Sequence, residues 1–155
     1  MTNPVQEQST QRDISGLRWG ERQLFRRPAP RPNAVLFIKL FSDTQTVTVG
    51  DSRFVFEISQ DMDATNLTRV EAYVTTVSSS GIVQVQIRNV TEAADMLSTR
   101  VQVDASEFVS KTAGTAAVID TANDDVAWGD LIACDVDAAG TGAKGLGVML
   151  SFSGA

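Results

Sequence analysis

Over the last two-thirds of the chain, apolar and polar residues alternate in one short segment after another. Val83, Val85 and Ile87 alternate with Gln84, Gln86 and Arg88; Ile132, Cys134 and Val136 with Ala133, Asp135 and Asp137; Leu146, Val148, Leu150 and Phe152 with Gly147, Met149 and Ser151. A period of two sends every second side chain to the same sheet face, so these segments predict strands with one buried and one wet face. Strands are expected at 44–49, 53–59, 67–77, 82–90, 97–104, 116–120, 131–137 and 145–153. Gly50-Asp51-Ser52, Ser78-Ser79-Ser80-Gly81, Asn123-Asp124-Asp125, Trp128-Gly129-Asp130 and Gly140-Thr141-Gly142 supply turn chemistry between them. A single helical turn is expected at Thr91 to Met96. Eight short strands at this spacing predict an all-β fold, an antiparallel jelly-roll-like sandwich, occupying 44–155.

Residues 1–43 have a different pattern. The first 33 are mostly polar and carry Pro28, Pro30 and Pro32 at alternate positions. Proline fixes φ and disfavours helix in the residue before it, so this is an extended, semi-rigid arm. Ile14, Leu17, Trp19, Leu24 and Phe25 are its sparse apolar anchors, and Gly16 and Gly20 interrupt any helix there. The segment NAVLFIKLF (33–41) is apolar on both faces apart from Lys39, with Val35 and Phe37 on one side and Leu36, Ile38 and Leu40 on the other. Such a strand is either covered on both sides or docked against another subunit. At the junction of arm and body, it reads as a docking strand.

Charge sharpens this division. Residues 1–40 hold seven basic and three acidic residues, whereas the remainder holds six basic and sixteen acidic. A basic arm on an acidic body points to a negatively charged partner surface. Nucleic acid fits poorly, because the arm has little aromatic interleaving and the body would oppose approach. No apolar run approaches a membrane span, and the polar start MTNPVQEQSTQRD lacks the apolar stretch of a secretory signal. The expectation is a protein made in a cytoplasm and kept there until it joins its partner.

Candidate chemistry is sparse. The chain has no histidine, which excludes Ser-His-Asp and Cys-His catalysis. Cys134 is the lone cysteine, on the apolar face of its strand, and reads as a buried core residue. Asp61, Asp63 and Asn66 resemble the start of a calcium loop, but its sixth and twelfth positions hold Asn66 and Ala72 where glycine and glutamate belong. Asn123, Asp124 and Asp125, with Asp120 or Asp130, could hold a cation but read as a turn. Asp135 and Asp137 read as solvated charges on a wet face. Asn89-Val90-Thr91 is a glycosylation sequon of little meaning without a secretory signal. Gly140-Thr141-Gly142 before Lys144 lacks phosphate-loop spacing. Tyr73, Phe108 and Trp128 are the aromatics a sugar could stack on, read first as one exposed strand residue and two loop anchors.

The segments VQIRNVTEAADMLSTRVQVDASE (85–107) and AVIDTANDDVAWGDLIACDVDAAGTGAKGLGVMLSF (117–152), and more loosely VTVGDSRFVFEI (47–58), resemble a β domain found in many tailed-phage structural proteins. The resemblance implies a jelly-roll-like body on a virion surface, on capsid or tail, with no catalytic residues. Because only a short arm precedes the module, the expected function is that of a capsid decoration or cement subunit. Its partner would be the major capsid protein, and it would form a homotrimer at the capsid surface, with no cofactor, metal or enzymatic activity. Arg18, Arg22, Arg26, Arg27 and Arg31 would pair with shell carboxylates, while Trp19, Phe25 and Phe37 supply apolar anchors. The alternative is a tail-fibre or receptor-binding module that recognises a host surface through its loops.

Overall fold

The structure, a computed structural model, describes residues 33–154. Eleven strands lie among them: β1 (Ala34–Lys39), β2 (Gly50–Glu57), β3 (Thr65–Tyr73), β4 (Val83–Asn89), β5 (Ala94–Asp95), β6 (Leu97–Thr99), β7 (Val101–Val103), β8 (Val118–Ile119), β9 (Asp125–Val126), β10 (Leu131–Ala139) and β11 (Gly147–Gly154). Helical structure among the described residues is limited to two 3-10 turns, Gln60–Met62 and Ser110–Thr112.

One sheet has the order β1-β11-β3-β9. The other has the order β2-β10-β4-β5, with β7 also paired to β4. Every pairing is antiparallel, and β6 and β8 form a separate two-stranded ribbon. The first strand lies beside the last and the second beside the last but one, with short segments completing each far edge. This is the double Greek key of a jelly-roll sandwich.

The alternation seen in the sequence builds the core. In the first sheet, the rows Ala34–Phe152–Leu67, Leu36–Leu150–Val70 and Ile38–Val148–Ala72 point inward. In the second, Val83, Val85 and Ile87 on β4 and Ile132, Cys134 and Val136 on β10 face them, all buried. With few aromatics available, the space between the layers is filled by aliphatic side chains and Phe152.

Three expected elements differ. The strand expected at 97–104 divides at Arg100 into β6, which pairs with β8, and β7, which pairs with β4. The segment 44–49 is a loop rather than a strand. Its backbone is satisfied by single contacts, the Val47 N–H donating to Ala143 O at 2.9 Å and Thr46 bridging Lys144, as the chain crosses between sheets. Thr91 to Met96 forms a reverse turn rather than a helical one. Ala93 takes a left-handed φ of 56°, its N–H donates to Val90 O, and Ala94–Asp95 then pairs with β4. A left-handed residue ends any helix, and the β4 edge supplies a ladder instead.

Leu150 is fully buried on a central strand, whereas Val35 is half exposed on an edge. Leu150→Ala is expected to cost about 2–5 kcal/mol and lower the melting temperature by roughly 10 °C. Val35→Ala should stay within about 0.5 kcal/mol of the parent. Calorimetric melts of the two variants check the inside–outside assignment.

Candidate functional site

β1 and β2 follow one another in the chain, and each ends its sheet. At the opposite flank the layers meet: Val109 bridges Tyr73 of β3, and the Ala72 N–H donates to Ser110 Oγ at 2.9 Å. The open flank therefore carries both free edges. Half of the large exposed apolar residues lie on these two strands or next to them: Val35 and Phe37 on β1, Val49, and Phe54 and Val55 on β2. Phe37 is 77% exposed and heads a row with Met149 and Glu71 across the outer face of the first sheet.

The end of β1 is pinned. Lys39 Nζ pairs with Asp43 at 2.6 Å, donates to Gly145 O at 3.0 Å, and sits 4.8 Å from the centroid of the Tyr73 ring. That ring lies across Gly147, where a Cβ would come within 2.5 Å of it, so only glycine leaves room. Tyr73 is thus half-buried structural cover rather than a free platform. Partial burial opposes the Lys39 charge, but the bonds to Asp43 and Tyr73 outweigh it and raise its pKa.

On β2, Phe54 and Phe56 point toward the core side with ring centroids 6.4 Å apart, and Phe54 remains partly exposed because no strand lies beyond it. Val55 faces outward beside the buried Ala133. The Arg53 guanidinium lies 5.9 Å from the Phe41 ring and donates to Val49 O, which ties β2 to the segment after β1. Sequence reasoning missed the exposure of Phe54 and Val55. The signal was the unbroken apolar run Phe54-Val55-Phe56, which cannot place all three side chains on one face.

The carboxylates read as solvated or as candidate ligands are mostly structural. Asp135 is buried, contrary to the expectation of a wet face. It accepts from Arg88 Nε at 2.7 Å, from Arg88 Nη2 at 3.1 Å and from the Ser52 N–H at 2.6 Å. The reason is a shift in register: between Cys134 and Val136 the β2 partner jumps from Phe54 to Gly50. Residues 51–53 bulge out, with Ser52 at a φ of 51°, and fold over the carboxylate. Burial works against the charge, but the Arg88 and Ser52 hydrogen bonds, with the Arg88 charge, hold the Asp135 carboxyl below the usual range. Asp137 occupies a second bulge and pairs with Arg100.

At the end of β4, buried Asn89 donates to Asp130 Oδ2 at 2.9 Å, and the same oxygen accepts from the Ala127 N–H at 3.0 Å. Asn89 is committed and enclosed, which closes the sequon in the folded chain. Asp120 accepts from the Ala122 N–H and from Asn123 Nδ2, Asp124 accepts from Asn66 Nδ2, and Asp63 accepts from the Trp128 N–H. Asp63, Asn66, Asn123 and Asp124 are thereby committed to hydrogen bonds that hold their loops. Among the described residues no three His, Cys, Asp or Glu side chains gather to hold a metal. Gly140-Thr141-Gly142 interlocks with the 78–81 loop: the Thr141 N–H donates to Ser80 O and Ser78 Oγ.

Phe108 and Trp128 are exposed, Trp128 by 61%. The two clefts are open grooves of about 250 and 300 Å³. One is bordered by Arg69, Glu71 and Lys111, the other by Asn33, Thr68 and Ser153. Such surfaces can bind; they do not enclose a substrate. No described helix is long and apolar enough to cross a membrane. Arg18, Trp19, Arg22, Phe25, Arg26, Arg27 and Arg31 lie outside the described residues; of the expected attachment residues, Phe37 is placed, at the open flank. No family model, curated protein or solved structure matches the chain.

Two expectations follow from these side chains. A depressed carboxyl adds stability above its unfolded pKa of about 4, and that stability is lost as pH falls through the lower folded value. Asp135→Asn should therefore cost about 2 kcal/mol at neutral pH, because the half-buried Arg88 loses its buried charged partner. In denaturant titrations the variant's stability should also fall less steeply than the parent's below about pH 4. Burial, with the nearby Asp135 charge, pushes the Cys134 thiol up to about 12. Thiol reagents should leave Cys134 unmodified in the native protein at pH 8 and label it fully in denaturant, as intact-mass measurement would show.

Proposed function

We propose that this chain is a structural virion subunit, a decoration or cement protein that binds the major capsid protein and stabilises a phage head. The observation that carries this reading is the exposed apolar edge strand β1, with Phe37 and Val35 facing solvent, placed directly after a basic, proline-stiffened arm. Exposed apolar surface rimmed by charge marks an interaction site. The double Greek key supports the same reading by analogy alone, since jelly rolls build viral capsid domains and also lectins.

In this reading the arm spans neighbouring subunits. Arg18, Arg22, Arg26, Arg27 and Arg31 form charge-assisted bonds to carboxylates, and Trp19 and Phe25 add apolar anchors. Phe37 and Val35 fill a subunit boundary. A homotrimer multiplies these contacts, so modest individual affinities become firm attachment. The exposed Trp128 and Phe108 favour the second reading, a tail module binding a host surface. Copy number separates the two: many copies spread over the head for a decoration protein, a few at one vertex for a tail module.

Loading onto capsids that lack the protein tests the attachment model. A chain beginning at Asn33, and the full chain carrying Phe37→Asp, should each lose at least tenfold in occupancy while keeping the parent's circular dichroism. Full occupancy by both would refute attachment through this end of the chain.

A further inference from the structure

We propose that the β2 half of the open flank is the seat for the N-terminal arm of a second copy of this chain, so that copies are joined by exchanged arms. The inference rests on the reading of residues 1–32 as an attachment arm, but not on the identity of the shell.

The first observation is the edge itself. β2 runs eight residues with one side unpaired, a length of about 26 Å. It carries Phe54 and Val55 exposed, with exposed Val49 just before it and carboxylates toward either end, Asp51 and Glu57. Glu57 has no ion-pair partner among the described residues. Unpaired backbone groups beside exposed apolar side chains form a surface that takes up an added strand.

The second observation is the composition of the segment that would cover it. Residues 1–32 carry six arginines against three carboxylates, and the rest of the chain carries seven basic against sixteen acidic residues. Body meeting body therefore repels, while arm meeting body attracts. Between Arg12 and Arg27 the arginines are interleaved with Leu17, Trp19, Leu24 and Phe25, a pattern that matches apolar side chains flanked by carboxylates.

The third is reach. Thirty-two residues extend to at most about 100 Å, several times the length of β2. Folding back onto the chain's own flank would require a reversal just before Ala34, where Pro28, Pro30 and Pro32 stand. Alternating prolines favour an extended course of about 3.1 Å per residue and remove the donors that a tight hairpin uses. Proline spacing of this kind favours pairing with a neighbouring copy over pairing with the chain's own flank.

The test uses full-length protein at tens of micromolar. Sedimentation or light scattering should show an oligomer. Val55→Glu and Glu57→Arg should each weaken it at least tenfold, as should raising the salt from 0.05 to 0.5 M. Both side chains are exposed, so the melting temperature should not move. A copy carrying Leu24→Cys mixed with a copy carrying Val55→Cys should give a disulfide-linked heterodimer on mild oxidation, since Cys134 is enclosed. A monomeric full-length chain would overturn the inference, as would an oligomer indifferent to both flank substitutions or cross-links forming only between two Val55→Cys copies. If arm exchange is found but the protein loads onto no particle, the inference stands and the virion reading falls.

Discussion

A strand at the edge of a sheet leaves a row of backbone donors and acceptors unsatisfied by protein, and the winding of this chain assigns that position to its first two strands. β11 occupies the inner side of β1 and β10 the inner side of β2, and neither has a second neighbour among the described residues. The other flank is closed by the passage from β7 through Ser110–Thr112 to β9, which bridges and hydrogen-bonds to β3. One flank is finished and the other is left open. The exposure of Val35, Phe37, Phe54 and Val55 on β1 and β2 accompanies this asymmetry.

The open edges are partly guarded. β2 bulges at residues 51–53, where Ser52 turns its N–H onto Asp135 instead of presenting it as a ladder donor. Bulges and charges on an edge oppose indiscriminate pairing. At the far end of β1, Lys39 is held by Asp43, Gly145 and the Tyr73 ring. Between these guards, Phe37 and Val55 remain bare. Guarded ends with bare middles favour a partner that fits a defined stretch over runaway sheet extension. The Asp135 and Asp130 hydrogen-bond networks in the second sheet brace that stretch.

The class of fold was legible because strand period and turn residues agree along most of the chain. β4, β10 and β11 lie close to where their alternation put them, with the expected faces inward. Segment 44–49 misled because Val47 and Val49 alternate with threonine, yet the stretch is a crossing between layers, and no local pattern reveals a change of sheet. Asp135 misled for a related reason. Its place on a polar face was right, but alternation cannot register a bulge on a strand eighty residues earlier that folds over it. Phe37 was legible as a side chain left outside the core because the apolar character of its segment exceeded what one buried face requires. The edge position that makes this meaningful belongs to topology and is not written locally.

The segments that resemble phage β domains can be weighed in the same way. Asn89 of the QIRN strand bonds Asp130 of the GD turn; Asp120 and Asp124 of the link cap Ala122 and hold Asn66; Thr141 of the closing turn docks on the 78–81 loop. Each recognisable residue secures a connection between strands. In this chain those segments hold the strands of the jelly roll together. The two firmer segments, 85–107 and 117–152, leave out β1 and β2, which carry Val35, Phe37, Phe54 and Val55 exposed. The contacts that secure the connections and the exposed apolar side chains of β1 and β2 thus lie on different parts of the chain.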